Sequence, residues 1–245
     1  MKPIVLIPAR MASTRLPGKP LADIAGVPMI VRVWQQAVAA GVGPVVVAAA
    51  EREIAAAVEA AGGVAVLTPA NLPSGSDRIF AALERVDPNG AHDAVVNLQG
   101  DLPALDPAYV RVVAETLTAS AADMATLVSD IRDPVDSDNP NVPKAVVTWS
   151  GSLGRALYFT RARAPYGNGP LLVHVGIYAY TRAALTRFVA LPPSPLEQRE
   201  KLEQLRALEA GMRIAVARVD SEPLAVDTPA DLEKARQLLG KKTSS

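Results

Sequence analysis

The chain contains no cysteine, and aromatic residues make up only 4% of its 245 residues. Without cysteine it forms neither disulfides nor thiolate metal sites, and this composition fits a reducing compartment. Histidine occurs only twice, too few for a three-histidine zinc site, and no H-E-x-x-H motif is present. These absences exclude disulfide scaffolds, thiolate metal centres and histidine-rich zinc centres.

An excess of charge of either sign is also absent, because 25 Lys and Arg residues balance 25 Asp and Glu residues. This balance argues against a protein whose main task is to bind a nucleic-acid backbone, but it is compatible with a local anion site. No stretch approaches the ~18 consecutive apolar residues of a membrane span, and the N-terminal apolar run is too short for a signal peptide. The sequence therefore predicts a cytoplasmic protein that binds neither nucleic acid nor a membrane.

Strand and helix patterns alternate through the first half of the chain. The predicted strands are 4–8, 44–50, 64–68 and 94–99, and the predicted helices are 28–40, 51–61, 75–86 and 107–120. This alternation predicts an α/β fold with right-handed βαβ units and a mostly parallel sheet. The strands are aliphatic with little alternation, which is typical of a sheet covered on both faces.

The pattern changes near residue 123. The predicted strands are then 124–131, 145–149, 156–159 and 173–180, with few helices between them. We interpret 123–180 as an antiparallel subdomain inserted into a single domain that spans 1–240. A helix over 195–210, a strand over 214–219 and a last helix over 229–239 complete the prediction, and 241–245 is predicted to be a disordered tail.

The most informative segment is the loop Pro8–Leu21, which follows the first predicted strand. It carries Arg10, Arg15 and Lys19, and the turn at Pro17-Gly18 brings the lysine back towards the arginines. Ligands of open α/β sheets bind at the carboxyl ends of strands, and fixed positive charge with backbone N–H groups suits a polyphosphate. A solvated basic loop is the alternative interpretation.

Three further segments each have two interpretations. Ser74–Arg78 begins a predicted helix, either as a simple N-cap or as a helix N-terminus that, with Arg78, contacts a base edge or phosphate. Asp101 follows a predicted strand, either as a polar turn residue or as a Mg²⁺ ligand. Asp227 belongs either to the cap of the last helix or to the same metal site. His174 alternates with apolar neighbours and is typical of a packed or hydrogen-bonded histidine.

Several motifs occur in one order along the chain: the opening loop, S-G-S-D-R, Q-G-D, N-P-N, G-I-Y-A-Y, P-S-P-L-E…L-E-Q-L-R and V-D-T-P-A-D-L-E. Together they resemble the 3-deoxy-manno-octulosonate cytidylyltransferases, or CMP-Kdo synthetases, over about residues 3–238. The resemblance implies a three-layer nucleotide-binding sheet with a smaller mixed or antiparallel dimerisation region, and a homodimer. It also implies Mg²⁺-dependent transfer of CMP from CTP to the anomeric hydroxyl of the acid sugar, with release of pyrophosphate, for lipopolysaccharide synthesis.

The resemblance also assigns roles to individual residues. The implied nucleotide-binding residues are Pro8, Ala9, Arg10, Ser13, Arg15, Lys19, Arg78 and Gln99. The implied catalytic residues are Arg15, Lys19 and Asp101, and the implied Mg²⁺ ligands are Asp101 and Asp227. The implied sugar-binding residues are Arg161, His174, Tyr180, Glu203 and Gln204. Among these, Arg161 suits the sugar carboxylate because its guanidinium can bind a carboxylate bidentately.

Other functions remain open at this point. A cytidylyltransferase for another acid sugar, such as a sialic acid or an 8-amino octulosonate, differs only on the sugar side. Leu102 and the short segment 162–173 depart from the family pattern, and both bear on the sugar side. A UDP- or dTDP-sugar enzyme and a nucleotide-sensing module without catalysis are further alternatives. A dinucleotide-dependent oxidoreductase is disfavoured, because the first strand is not followed by G-x-G-x-x-G.

Overall fold

The computed structural model describes residues 1–242, and the chain in it divides into two compact units. Unit 1 comprises Met1–Arg111 and the residues from Pro223 onward, and unit 2 comprises Val112–Glu222. The predicted insertion 123–180 lies inside unit 2, but that unit also takes in the residues on either side of it. The last helix continues to Lys242, so residues 241 and 242, which were predicted to begin a disordered tail, are helical. The rest of the predicted tail, 243–245, lies outside the described residues.

Unit 1 contains a parallel sheet of the predicted kind. Its strands are β1 (Pro3–Ala9), β2 (Asp23–Ile24), β3 (Val27–Pro28), β4 (Val45–Ala49), β5 (Val64–Leu67) and β6 (Ala94–Asn97), and its helices are α1 (Met29–Ala40), α2 (Arg52–Ala60) and α3 (Gly75–Val86). The parallel order is β5–β4–β1–β6, while β2 and β3 form a separate small hairpin that the sequence analysis did not anticipate. Consecutive residues of β1 and β6 are buried, which is the pattern of strands covered on both faces.

The parallel arrangement explains where the functional loops of unit 1 lie. Strands β1 and β6 are adjacent and parallel, so their carboxyl ends lie at the same edge of the sheet. The basic loop leaves the end of β1, and Asp101 follows the end of β6. The topology therefore brings the two predicted phosphate and metal segments to one edge.

Helix α4 (Pro107–Ala119) leads into unit 2, which is built mainly from antiparallel strands. Its elements are β7 (Met124–Asp130), β8 (Lys144–Ser150), β9 (Leu153–Thr160), β10 (Leu172–Thr181), α5 (Arg182–Ala190), α6 (Pro195–Glu200), α7 (Leu205–Glu209) and β11 (Ile214–Arg218). The strand order is β10–β7–β11–β9–β8, in which β7 and β11 are parallel. Val173 of β10 also pairs with Lys144 of β8, so the first and last strands of this order are joined.

The helices of unit 2 differ from the prediction in two places. The predicted helix 195–210 is two helices, because Lys201 adopts a left-handed conformation with φ of 57° and ends α6. Helix α5 was not predicted, and its N-cap is Thr181, whose hydroxyl accepts a hydrogen bond from the Ala184 N–H. Both differences depend on a capping residue: Lys201 ends α6, and Thr181 starts α5.

The last element, α8 (Pro229–Lys242), belongs to unit 1 and completes its core. Val226, Leu232, Ala235 and Leu239 are buried together with two residues from the beginning of the chain, Ile24 and Met29. This packing fixes the segment 226–239 against the region just after the basic loop. None of the helices within residues 1–242 has both the length and the hydropathy needed to cross a membrane.

Candidate functional site

One cleft in unit 1, of about 380 Å³, is lined by all eight residues that the sequence analysis assigned to the nucleotide. Pro8 and Ala9 end β1, Gln99 follows β6, and Arg78 lies in the first turn of α3. Positively charged side chains and the ends of two adjacent strands therefore line the same cleft. Further residues that line the cleft, and that sequence reasoning did not single out as ligands, are Ala12, Thr14, Pro20, Ser74, Gly75 and Gly100.

The basic loop folds back on itself as predicted. Gly18 has a φ of 70°, a conformation that glycine adopts without a steric penalty, and its N–H approaches the Met11 carbonyl at 3.4 Å. A short 3₁₀ helix, Lys19–Leu21, follows directly. The turn thus returns the Lys19 side chain to the cleft that Arg10 and Arg15 also line.

Lys19 lies between the two predicted metal-binding aspartates. Its Nζ donates to Asp101 Oδ2 at 2.9 Å and to Asp227 Oδ1 at 3.0 Å, and Arg15 Nη2 pairs with Asp227 Oδ2 at 3.0 Å. Burial acts to lower the pKa of Lys19, but the charges and hydrogen bonds of Asp101 and Asp227 outweigh burial and raise that pKa. Lys19 is therefore charged, and two cations balance two carboxylates.

The backbone holds the two acids together independently of their side chains. The Val226 N–H donates to the Asp101 carbonyl at 2.9 Å, which places Asp227 beside Asp101. The cap of α8 is made by other residues, because the Thr228 N–H donates to Asp231 Oδ2 at 3.0 Å and the Asp231 N–H donates to Thr228 Oγ1 at 3.3 Å. Of the two interpretations of Asp227, the structure thus supports a role beyond capping.

These carboxylates have the chemistry that a magnesium site requires. Mg²⁺ binds through one or two carboxylates, with substrate phosphates and water completing its octahedral shell. Asp101 and Asp227 both lie within 3.0 Å of one ammonium group, so they already converge on a single positive charge. Residues 1–242 contain no group of three or more acidic or histidine residues arranged to hold a metal. The donor set fits an ion that arrives with a polyphosphate.

Arg78 is committed to protein acceptors at one wall of the cleft. Its side chain is buried, and its guanidinium donates to Thr68 Oγ1 at 2.7 Å, to Pro69 O at 3.0 Å and to Ala70 O at 3.2 Å. Burial lowers the pKa of Arg78, and the nearby charge of Arg10 lowers it further. The structure therefore shows Arg78 supporting the segment after β5. Of the two interpretations of Ser74–Arg78, the N-cap is confirmed, and contact of Arg78 with a base edge or phosphate stays a prediction.

The residues assigned to the sugar all lie in unit 2, where a row of rings runs through its interior. Adjacent ring centroids lie 5.0–6.0 Å apart, and the row is formed by Phe159, His174, Tyr178, Tyr180 and Phe188. His174 is buried and its Nε2 lies 3.0 Å from Thr126 Oγ1. Burial lowers the pKa of His174 to about 4, so the ring is neutral at neutral pH. The interpretation of a packed, hydrogen-bonded histidine is confirmed.

Arg161 differs from its expected role. Its Nε donates to Glu200 O at 2.6 Å, its Nη1 to Pro140 O at 2.7 Å and its Nη2 to Lys201 O at 3.3 Å. The guanidinium that was expected to bind a sugar carboxylate bidentately instead connects three backbone carbonyls. It fixes the left-handed end of α6 to the segment before β8.

Gln204 retains hydrogen-bonding capacity that the surrounding protein does not use. Its side chain is 4% exposed, and its Nε2 has no hydrogen-bond partner within residues 1–242. A buried amide donor without a partner is costly, and this cost is relieved when a ligand oxygen or water accepts from it. Its neighbour Glu203 lies 4.0 Å from Arg206.

Thr126 was missed by sequence reasoning. It contacts His174 from the neighbouring strand, and nothing in its local sequence marks it. The available signal was Gly176 inside a strand pattern, because a glycine there often indicates a bulge. Strand β10 does shift register against β7 between Val175 and Tyr178.

A family model, two relatives in sequence and one solved structure all indicate similarity to cytidylyltransferases. A family model described as cytidylyltransferase matches residues 4–214. A 3-deoxy-manno-octulosonate cytidylyltransferase of Parvibaculum lavamentivorans is 64% identical over 98% of this chain and 94% of that protein. Its counterpart in Methylobacterium radiotolerans is 65% identical over 97% of this chain and 96% of that protein. A solved CMP:2-keto-3-deoxy-manno-octonic acid synthetase complexed with CTP is 40% identical, with a TM-score of 0.92 over 99% of this chain and all of that one.

Proposed function

The chain belongs to the cytidylyltransferase family, and we propose that it transfers CMP from CTP to the anomeric hydroxyl of 3-deoxy-D-manno-octulosonate. The products are CMP-Kdo and pyrophosphate, for use in lipopolysaccharide synthesis. Relatives at 64% and 65% identity over nearly the whole chain carry the name of this activity. The observation that carries the proposal is the joining of Arg15, Lys19, Asp101 and Asp227 beside a cleft lined by the expected nucleotide residues.

The cleft can bind a triphosphate through three cations and through backbone donors. Arg10, Arg15 and Lys19 line it, and guanidinium and ammonium groups make strong charge-assisted hydrogen bonds to phosphate oxygens. Pro8 and Ala9 offer backbone groups at the end of β1, where a base can be read. CTP is the triphosphate named in the solved relative of TM-score 0.92.

We propose Mg²⁺ as the cofactor, held by Asp101 and Asp227. When bound together with the substrate phosphates, the ion acts as a Lewis acid and neutralises negative charge. The Lys19 ammonium pairs with both acids in the structure. In the reaction its charge would lie beside the phosphates.

The reaction is a displacement at the α-phosphorus. The sugar hydroxyl forms the new P–O bond, the bond to the pyrophosphate oxygen breaks so that pyrophosphate leaves, and the hydroxyl proton passes to solvent water. Arg15 and Lys19 hold the charge that accumulates on the phosphate oxygens and on pyrophosphate. Catalysis of this kind consists mainly of positioning and electrostatic stabilisation, and it needs no covalent enzyme intermediate.

Unit 2 would supply the sugar contacts. Tyr180, Glu203 and Gln204 combine a phenol, an acid and an unpartnered amide donor, a set suited to a polyhydroxylated sugar. A sugar phosphate would require a pocket richer in cations than these three side chains. The carboxylate of the acid sugar needs a different partner from the bidentate fork of Arg161, which is engaged with backbone carbonyls.

We also propose a cytoplasmic homodimer that associates through unit 2. The hairpin β8–β9 exposes two large apolar side chains, Trp149 and Leu157, on its surface. Large exposed apolar side chains that share one hairpin are the feature that supports an association surface here. CTP is a cytoplasmic metabolite, and this favours the proposed location.

A pyrophosphate-release assay tests the proposed function. The purified protein is incubated with CTP, Mg²⁺ and a panel of acid sugars that includes 3-deoxy-manno-octulosonate, a sialic acid and an 8-amino octulosonate. We expect the fastest release with 3-deoxy-manno-octulosonate. Preference for UTP or GTP would contradict cytidylyl transfer, a different preferred acid sugar would reassign the acceptor, and CTP binding without release would indicate a sensing module.

A further inference from the structure

The hydroxyl group of Thr126 has three close neighbours in unit 2. Thr126 is fully buried on β7, and its Oγ1 lies 3.0 Å from His174 Nε2, 2.9 Å from the Ile177 carbonyl oxygen and 3.2 Å from the Val175 carbonyl oxygen. Two of these neighbours are hydrogen-bond acceptors only. The third is a ring nitrogen, which donates or accepts according to its tautomer.

A bulge in β10 creates this arrangement. Val175 is paired with Leu127, but Tyr178 is paired with Thr126, so residues 176–177 are extra on the β10 side. The backbone bends at a bulge and the regular ladder is interrupted. The carbonyls of Val175 and Ile177 therefore turn towards the Thr126 side chain, while His174 remains in the regular part of the strand.

The single hydroxyl proton of Thr126 must point to a carbonyl oxygen. If that proton pointed to His174, the two carbonyl oxygens would face the lone pairs of a buried oxygen at 2.9 and 3.2 Å with no proton between them. Such contacts are repulsive, and buried polar atoms without partners are costly. With the proton on a carbonyl, Oγ1 can only accept from the ring, so His174 Nε2 carries hydrogen.

The assignment of Nε2 determines the state of the other ring nitrogen. Burial lowers the pKa of His174 to about 4, so the ring carries one proton at neutral pH. Nδ1 then has a free lone pair and acts as an acceptor. Phe159 contacts the ring edge-on at a centroid distance of 5.0 Å, and the Tyr178 ring lies at 5.4 Å, so two rings restrict the orientation of the imidazole.

We propose that Thr126 is a positioning residue that holds His174 as the Nε2–H tautomer, so that Nδ1 accepts a hydrogen bond from a hydroxyl group of the acid sugar. This inference rests on the proposed function and deepens it. A nitrogen that can only accept selects a hydroxyl at the facing sugar position. It discriminates against a fluorine, an ether or a carboxylate there, because none of these can donate.

The tautomer can be measured without changing the site. The chain has two histidines, so long-range ¹H–¹⁵N correlation spectra at pH 7 contain two imidazole rings, and a His92→Gln variant assigns them. We expect His174 to show a protonated Nε2 and an unprotonated Nδ1, with the Nδ1 signal shifting when 3-deoxy-manno-octulosonate is added. A protonated Nδ1, or an Nδ1 signal that does not respond to saturating sugar, would overturn the proposal.

Paired substitutions test the role of the hydroxyl. Thr126→Val keeps the shape but removes the acceptor, so we expect mixed tautomers and a rise of about 2- to 10-fold in KM for the sugar, the worth of one hydrogen bond. KM for CTP should not change. Thr126→Ser restores the hydroxyl and should restore both the tautomer and KM. If Thr126→Val keeps the wild-type tautomer and sugar KM, Thr126 does not position His174.

Thr116→Val is the matched control, because Thr116 is also buried and donates to a carbonyl, that of Val112, in the same unit. We expect it to alter stability without changing the His174 tautomer or sugar KM. Failure of this inference is distinguishable from failure of the proposed function. If no acid sugar supports pyrophosphate release, the function is wrong whatever the tautomer, whereas an active enzyme with a protonated Nδ1 contradicts the inference alone.

Discussion

Lys19 is the residue whose environment says most about the site. Its side chain is 16% exposed, and its ammonium contacts a carboxylate from each of two distant parts of the chain, Asp101 and Asp227. The two acids are far apart in the sequence, so the fold brings them together and the local sequence does not. A cation already stabilises the pair, so the geometry of the proposed metal site does not depend on the metal to form.

The first prediction concerns Asp101. We expect Asp101→Asn to lower kcat by about 10²-fold or more, because a neutral amide neither neutralises Lys19 nor binds a hard cation well. Steady-state pyrophosphate release at saturating CTP and varied Mg²⁺ measures this. Asp93→Asn is the control, since Asp93 is exposed and accepts a hydrogen bond from the Lys2 N–H, away from the cleft lining. Near-normal kcat in Asp101→Asn would remove Asp101 from the mechanism.

The second prediction concerns the protonation of His174. Its pKa is about 4 in the folded protein and 6.5 in the unfolded chain, so the unfolded state binds more protons between these values. The free energy of unfolding must therefore fall as the pH falls from 6.5 towards 4, with no contribution above that window. The loss should reach about 2 kcal/mol at pH 5.

Urea unfolding of the wild type and of His174→Gln across pH 7 to 4.5 isolates this contribution. Acidic groups also titrate in that range, so the quantity of interest is the difference between the two proteins. We expect the wild type to lose more stability than the variant as the pH falls. Parallel stability curves would show that His174 is not held neutral by burial.

At the scale of elements, the end of β6 is constrained by close backbone packing. A side chain at Gly100 would place its Cβ 2.8 Å from the Pro8 carbonyl oxygen, closer than real Cβ contacts. Because that atom belongs to the backbone of β1, it cannot move aside as a flexible side chain could. Gly100 thus sets the spacing between the two strand ends that carry Pro8 and Asp101.

The third prediction follows from this contact. We expect Gly100→Ala to lower the free energy of unfolding by about 1–3 kcal/mol and to raise KM for CTP, since the ends of β1 and β6 must separate. Gly240→Ala is the matched control, because a Cβ there meets nothing within 4 Å. Thermal unfolding and CTP saturation curves compare the two. Equal KM values would mean that the spacing of the strand ends does not affect the nucleotide.

Local signals account for the elements that the sequence predicted well. Helix α3 was predicted over 75–86 and has those bounds, because Ser74 caps it through the Asp77 N–H and its apolar residues repeat at helical spacing. The basic loop was also predicted, since its Pro-Gly turn is encoded locally. The parallel sheet followed from the alternation of strands and helices.

The features that the sequence did not predict depend on contacts between distant residues. The left-handed Lys201 that divides 195–210 is held by Arg161, whose Nη2 binds the Lys201 carbonyl from another part of unit 2. The partnership of Thr126 and His174 depends on the register of two strands and on a bulge. The engagement of Arg161 and Arg78 with protein carbonyls likewise could not be derived from their positions in motifs.

At the scale of the whole molecule, unit 1 is discontinuous in sequence. Residues from Pro223 onward return to pack against Ile24 and Met29, and the same segment carries Asp227. The stability of this core and the geometry of the nucleotide site are therefore linked. Val226 connects them directly, because its side chain is fully buried in the core and its N–H donates to the Asp101 carbonyl.

The fourth prediction tests this link. We expect Val226→Ala to cost about 2 kcal/mol in unfolding free energy and also to raise KM for CTP, because the cavity loosens the segment that holds Asp227. Val216→Ala removes an equally buried valine from unit 2 and should cost a similar free energy without changing KM for CTP. Chemical denaturation and CTP kinetics measure both quantities. Identical CTP kinetics in the two variants would show that core and site are independent.

The discontinuity of unit 1 also has a consequence for biosynthesis. A ribosome makes the basic loop before unit 2 and the segment from Pro223 onward only after all of unit 2. A nascent chain that has reached Glu222 already has Lys19 and Asp101, but it lacks the acid with which Arg15 pairs. The proposed phosphate site is therefore completed only after all of unit 2 has been made, and a chain that stops at Glu222 lacks the Asp227 carboxylate with which Arg15 and Lys19 pair.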